Sequence, residues 1–184
     1  RDVYHLNEAH GLPAAFHLLK KYNGDLGKVK EKLVFTTHTP EEAGNEKHNM
    51  KLCYDMTYFN GYSIDEVANI GGVQGDMFNH SLCALKMARY ANGVSKLHGV
   101  VSRDMWGKYP GICEITSITN AQDFLYWGDE PLYEAKEAKN DEAFDKRKKH
   151  LKKRLFQVVA DQTGKLFDLN VLTIVWARRF AGYK

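Results

Sequence analysis

Five short polar stretches stand where an apolar run ends: Leu6-Asn-Glu-Ala-His10, Thr36-Thr-His-Thr-Pro40, Asn92-Gly-Val-Ser-Lys-Leu-His98, Ile118-Thr-Asn120 and Arg178-Arg-Phe-Ala-Gly-Tyr-Lys184. The first four offer between them asparagine, histidine and threonine, side chains that both donate and accept hydrogen bonds and so match sugar hydroxyls. The last offers Arg178, Arg179 and Lys184, whose guanidinium forks and ammonium suit a phosphate. Together they are the chemistry of a sugar with a phosphate beside it. Each alone has a plainer use: Asn7, His38 and Asn92 can cap helices or satisfy backbone groups, and arginines after a strand can be solvated surface.

Other chemistries fit less well. His5 and His10 flank Glu8, but a helical zinc motif needs its histidines four apart, and five apart they diverge by about 140° around the helix. A non-helical histidine site using His38 or His98 stays open, without a carboxylate pattern to support it. No Gly-x-Ser-x-Gly, Walker loop or post-strand Gly-x-Gly-x-x-Gly is present, and Gly71-Gly-Val-Gln-Gly75 is too loose to count.

The elements that must position these stretches alternate in type. Val3 to Leu6 reads as a strand, Asn7 to Pro13 as a turn, and Ala15, Phe16, Leu18 and Leu19 as the inward face of a helix. Leu33 onward repeats the design, a β-rich run closed by Pro40. Helices are expected over Met50–Phe59 and Ile64–Ile70, the second with Ser63 and Glu66 in capping-box spacing. Another helix runs from Phe78 to Tyr90, Asn92–His98 reads as strand then loop, and Ile115–Asn120 as a short strand. From Asp141 the apolar positions Phe144, Leu151, Leu155, Val158 and Val159 mark a long amphipathic helix ending at Thr163-Gly164, before a further strand at Val171–Trp176. The alternation predicts an α/β fold: a largely parallel, Rossmann-like sheet with flanking helices, whose strand carboxyl ends would bring the polar stretches to one edge.

Composition narrows the classes. At 184 residues and 43% hydrophobic, the chain can bury a sizeable core. Its net charge of +3 gathers in Lys146–His150 and Lys152–Arg154, read as a solvated helix face, and no nucleic-acid partner is implied. Cys53, Cys83 and Cys113 form no Cys-x-x-Cys pair, which fits a reducing, cytoplasmic setting without a metal site. No apolar run has membrane-spanning length, so no membrane partner is expected. The chain opens on Arg1-Asp-Val-Tyr and closes inside a basic loop, and reads as an internal fragment.

In this order the motifs His-Leu-Asn-Glu-x-His, Phe-Thr-Thr-His-Thr-Pro, Asn-Gly-Val-Ser-Lys-Leu-His-Gly-x-Val-Ser-Arg-x-Met-Trp, Ile-Thr-Asn and Ala-Arg-Arg-Phe-x-x-Tyr-Lys resemble the α-glucan phosphorylases of bacteria and archaea, the short relatives of glycogen and maltodextrin phosphorylase. The resemblance runs from Tyr4 to Lys184. It implies a two-domain glycosyltransferase-B architecture, with residues 1–140 the carboxy-terminal portion of the amino-terminal Rossmann-like domain. Residues 141–184 would then be the linking helix and the first strand and loop of the carboxy-terminal one.

The implied reaction transfers a terminal α-1,4-linked glucosyl unit of a glucan to inorganic phosphate, giving glucose 1-phosphate, with pyridoxal phosphate supplying a phosphate group for proton transfer. By resemblance His10 is a catalytic and sugar-binding residue and Asn120 holds the same sugar. Arg179 and Lys184 are the catalytic and phosphate-binding pair, with Arg178 assisting. His38 and His98 are given loop-ordering roles. The cofactor lysine falls beyond Lys184, so the isolated chain is expected to be inactive, and its cut edges to favour self-association. One departure stands out: after Asn120 the family continues Gly-Val-His, whereas this chain has Ala121-Gln122-Asp123, placing an acid where a neutral imidazole is expected. Two further readings stay open, a nucleotide-sugar-dependent glucosyltransferase of the same architecture and a degenerate homologue that binds glucan without catalysis.

Overall fold

The computed structural model describes residues 2–177 and Phe180, which fall into two compact units dividing between Asn120 and Ala121. In chain order the first runs β1 (Tyr4–Asn7), α1 (Leu12–Lys21), α2 (Leu26–Lys32), β2 (Leu33–Thr37), β3 (Lys47–Asn49), α3 (Met50–Asp55), α4 (Ile64–Ile70), β4 (Val73–Gln74), β5 (Met77–Asn79), α5 (His80–Met87), β6 (Tyr90–Gly93), α6 (Lys96–Trp106) and β7 (Glu114–Ser117). Four strands form a parallel sheet in the order β1-β2-β6-β7, as the alternation predicts.

Register explains how the sheet separates core from edge chemistry. Leu6, Phe35, Ala91 and Ile115 are in-register neighbours, and all four are buried. One residue later comes a polar row, Asn7, Thr36, Asn92 and Thr116. Because side chains alternate across a strand, the polar row faces away from the apolar one, at the carboxyl ends of the strands. Helix α1 buries Leu12, Ala15, Phe16, Leu18 and Leu19. Phe16, Phe59 and Phe78 stack edge to face, with ring centroids 5.2 and 5.0 Å apart along the series.

Three local expectations change. Phe78 belongs to a strand, part of a small antiparallel sheet ordered β3-β5-β4, and the helix begins after it, where the Asn79 side chain accepts the Leu82 N–H. The stretch read as a loop after Asn92 becomes helix α6, capped by Ser95. Its buried face consists of His98, Gly99, Ser102 and Trp106 while Leu97 and Val100 are exposed, so apolar periodicity points the wrong way. Glycine is required at Gly99: a Cβ there would stand 2.8 Å from the Ser117 Cβ, so the helix presses directly on β7. Third, α3 ends at Asp55, short of the Phe59 expected.

The second unit holds α7 (Phe124–Trp127), α8 (Glu130–Glu137) and α9 (Asp141–Thr163). Helix α9 ends at Gly164 as expected, with that glycine in the left-handed region at φ 70°. No residue of α9 is buried; its apolar positions Leu155 and Val158 remain exposed. The stretch Val171–Trp176, expected as a strand, is not a strand in the structure.

Candidate strand-exit site

The polar row is wired together by side chains. His5 Nε2 and the Thr36 hydroxyl are 2.8 Å apart, and that hydroxyl donates to Asn92 Oδ1, also at 2.8 Å. On the adjoining loops His38 Nε2 lies 2.6 Å from Asn7 Oδ1. Glu8 Oε2 accepts the His38 backbone N–H at 2.7 Å and the Thr39 hydroxyl at 3.2 Å. The Glu8 carboxylate thus holds the loop leaving β2 against the loop leaving β1.

Glu8 does this from an unusual backbone, φ 67° and ψ 169°, a region that side chains other than glycine's avoid. Its second oxygen, Oε1, is buried without a hydrogen-bond partner among the described residues. The same holds for His98 Nε2. His98 Nδ1 accepts the Val94 N–H at 3.2 Å, which puts the ring proton on Nε2. Burial pushes the His98 imidazole below its ordinary range, with the Glu8 charge opposing, so the ring is neutral near pH 7. A buried carboxylate acceptor without a partner and a buried N–H donor whose contact with the Thr39 backbone falls short of a full hydrogen bond thus stand near the same strand exits.

Of the residues singled out from the sequence, His10 and Asn120 fall among the described ones. Asn120 is exposed just past β7, its backbone N–H donating to Val94 O at 3.0 Å. His10 follows β1, at the opposite edge of the sheet, and its ring lies 3.5 Å from Glu46 Oε1. Three strand spacings, about 14 Å, separate the axes of those two strands. No hydrogen bond or ion pair joins His10 to the polar row among the described residues. Arg178, Arg179 and Lys184 lie outside the described residues.

The His38 ring meets Asn7 on the loop leaving β1, and the His98 ring accepts the Val94 N–H on the loop before α6. Position in the motif carried no sign of this: His98 was masked by an atypical helix, and Glu8 by its reading as part of a failed zinc pattern. Asp123, the acid that departs from the motif, accepts the Leu125 N–H at 2.9 Å as the cap of α7. Among the described residues no three His, Cys, Asp or Glu side chains converge to hold a metal ion, and no helix is long and apolar enough to cross a membrane.

Comparison with known proteins adds a family context. The chain is 43% identical over 182 residues to an uncharacterized protein of Methanocaldococcus jannaschii, an alignment covering 99% of this chain and 34% of that protein. It is 29% identical over 229 residues to the maltodextrin phosphorylase of Thermococcus litoralis, covering 99% of this chain and 27% of the relative. It is also 26% identical over 235 residues to the glycogen phosphorylase of Aquifex aeolicus, covering 98% and 34%. The chain spans about a third or less of the length of these curated relatives. No family model matches it. The chain is a distant relative of proteins named as phosphorylases.

Proposed function

We propose that the chain is part of an α-glucan phosphorylase-type glycosyltransferase, and that its strand-exit row binds the terminal glucosyl unit. The observation that carries the sugar reading is the buried pair His98 Nε2–H and Glu8 Oε1, neither with a full hydrogen bond among the described residues. A hydroxyl group accepts from one and donates to the other, whereas a phosphate would meet the carboxylate's charge. Asn7, His38 and Asn92 extend the same hydrogen-bonding surface, with Asn120 at its far edge. In this reading His38 takes the hydroxyl-contacting part that the resemblance gave to His10.

The phosphate half is Arg178, Arg179 and Lys184, where cations offset charge as the glycosidic bond breaks and glucose 1-phosphate forms. The residues joined in the row include no lysine or arginine, so the row does not suit the phosphate of pyridoxal phosphate. That cofactor, which supplies a phosphate group for proton transfer in the family, is assigned to the longer protein and its lysine to a position beyond Lys184. Residues 1–140 belong to the amino-terminal Rossmann-like domain of a glycosyltransferase-B pair, residues 141–184 lead into the second, and the setting is cytoplasmic.

The test uses the longer protein. Phosphate-dependent release of glucose 1-phosphate from maltodextrin, with absorbance in the pyridoxal band, is expected. Release that needs a nucleotide sugar, or glucan binding without release, would sink the proposal in favour of the two rival readings.

A further inference from the structure

A chain of side-chain hydrogen bonds crosses three neighbouring strands, from His5 on β1 through Thr36 on β2 to Asn92 on β6. Its first member, His5, has no part in the proposed sugar contact. His5 Nε2 lies 2.8 Å from Thr36 Oγ1, which lies 2.8 Å from Asn92 Oδ1, and Asn92 Nδ2 donates to the Gly93 carbonyl at 3.2 Å. His5 is exposed, Asn92 half-buried and Thr36 buried.

The Gly93 end fixes every direction in the chain. Turning the Asn92 amide over would set its oxygen against the Gly93 carbonyl oxygen, so Nδ2 faces Gly93 and Oδ1 faces Thr36. An amide oxygen only accepts, which commits the single Thr36 hydroxyl hydrogen to Asn92. The Thr36 oxygen is left as an acceptor toward β1, and His5 must therefore carry a proton on Nε2. Gly93 takes one of the two Nδ2 hydrogens and leaves the other for a ligand.

We infer that His5 and Thr36 are positioning residues, which hold the Asn92 amide so that it meets a ligand as a hydrogen-bond donor. Thr36 acts directly, by occupying Oδ1. His5 acts through Thr36: its N–H holds the hydroxyl oxygen from the β1 side, in the one arrangement from which the hydroxyl hydrogen reaches Asn92. The chain forms only when β1, β2 and β6 pair in this register, so the sheet itself sets the polarity of the row. The wiring stands on geometry alone, whereas its effect on turnover rests on the glucosyl reading of the row.

Two measurements test it. Nuclear magnetic resonance of the 184-residue chain should find the His5 ring proton on Nε2 and slow to exchange, with that protection lost in Thr36→Val. In the longer protein, Thr36→Val and His5→Leu should each raise KM for maltodextrin about fivefold, the loss of one hydrogen bond, with kcat little changed. Thr36→Ser and His5→Gln, which keep a hydroxyl and a donor, should restore the parent KM. The inference is overturned if the His5 proton sits on Nδ1, if Thr36→Val leaves its exchange unchanged, if Thr36→Val and His5→Leu keep the parent KM, or if the conservative variants are as impaired as the others. A parent protein that releases no glucose 1-phosphate would sink the glucosyl reading instead, and the ring proton would still decide the wiring.

Discussion

The Glu8 carboxylate accepts the His38 backbone N–H at 2.7 Å from a backbone of φ 67°. One strained residue thereby ties two strand exits. Replacing Glu8 should separate its two contributions. Glu8→Ala keeps the strain and loses the bonds, whereas Glu8→Gly loses the bonds and relieves the strain. Glu8→Gly should therefore be more stable than Glu8→Ala by about 1 kcal/mol in denaturant unfolding. Equal stability would show that the backbone there is unstrained.

Gly99 should tolerate no side chain. Its added Cβ would stand 2.8 Å from the Ser117 Cβ and 3.1 Å from the Thr116 carbonyl oxygen, so Gly99→Ala should cost about 1–3 kcal/mol. Ser117→Gly in the same chain removes the nearer atom and should recover part of that loss. A double variant no more stable than Gly99→Ala alone would contradict the contact as the cause.

Acid should weaken the fold through His80. Burial first, and the nearby His48 second, lower its pKa to about 4 from the ordinary 6.5. The folded state favours the neutral ring, so this contribution is fully present above about pH 6.5. It fades as pH falls toward 4, where the unfolded chain binds a proton that the folded chain does not. Thermal unfolding between those pH values should show a slope approaching one proton, flattened in His80→Gln. An unchanged slope in the variant would place the acid sensitivity elsewhere.

Arg147 forks onto Asp129 at 2.8 and 2.7 Å, and Asp129 also caps α8 by accepting the Leu132 N–H. The guanidinium holds the Asp129 carboxyl below its ordinary range, so this support is present above the unfolded carboxylate pKa and lost as pH falls through the folded one. Arg147→Ala should speed hydrogen exchange at the first turn of α8, and Asp129→Ala should speed it further because the cap goes too. The reverse order would mean that the ion pair outweighs the cap.

Elements with strong local signals were legible from sequence. Ser63 and Glu66 form the reciprocal capping box, and α4 occupies Ile64–Ile70 as expected. Helix α9 follows its apolar spacing to Gly164. Helix α6 was not legible, because its buried face carries histidine, glycine and serine that pack by close approach to β7. Nor does a motif say which neighbour a ring meets: the contact of the His10 ring with Glu46 is visible only in the structure.

The order of residues alone determined the alternation of strand and helix and the arrival of polar groups at strand ends, because periodicity and capping are local properties. Only the tertiary structure decided which of those groups meet. Parallel pairing brought Thr36 within 2.8 Å of Asn92 across 56 residues of sequence, and strand order put His10 and Asn120 at opposite edges. Burial then left Glu8 Oε1 and His98 Nε2 without a full hydrogen bond among the described residues. Register, strand order and desolvation arise between distant segments, and these relations decide what the site can bind.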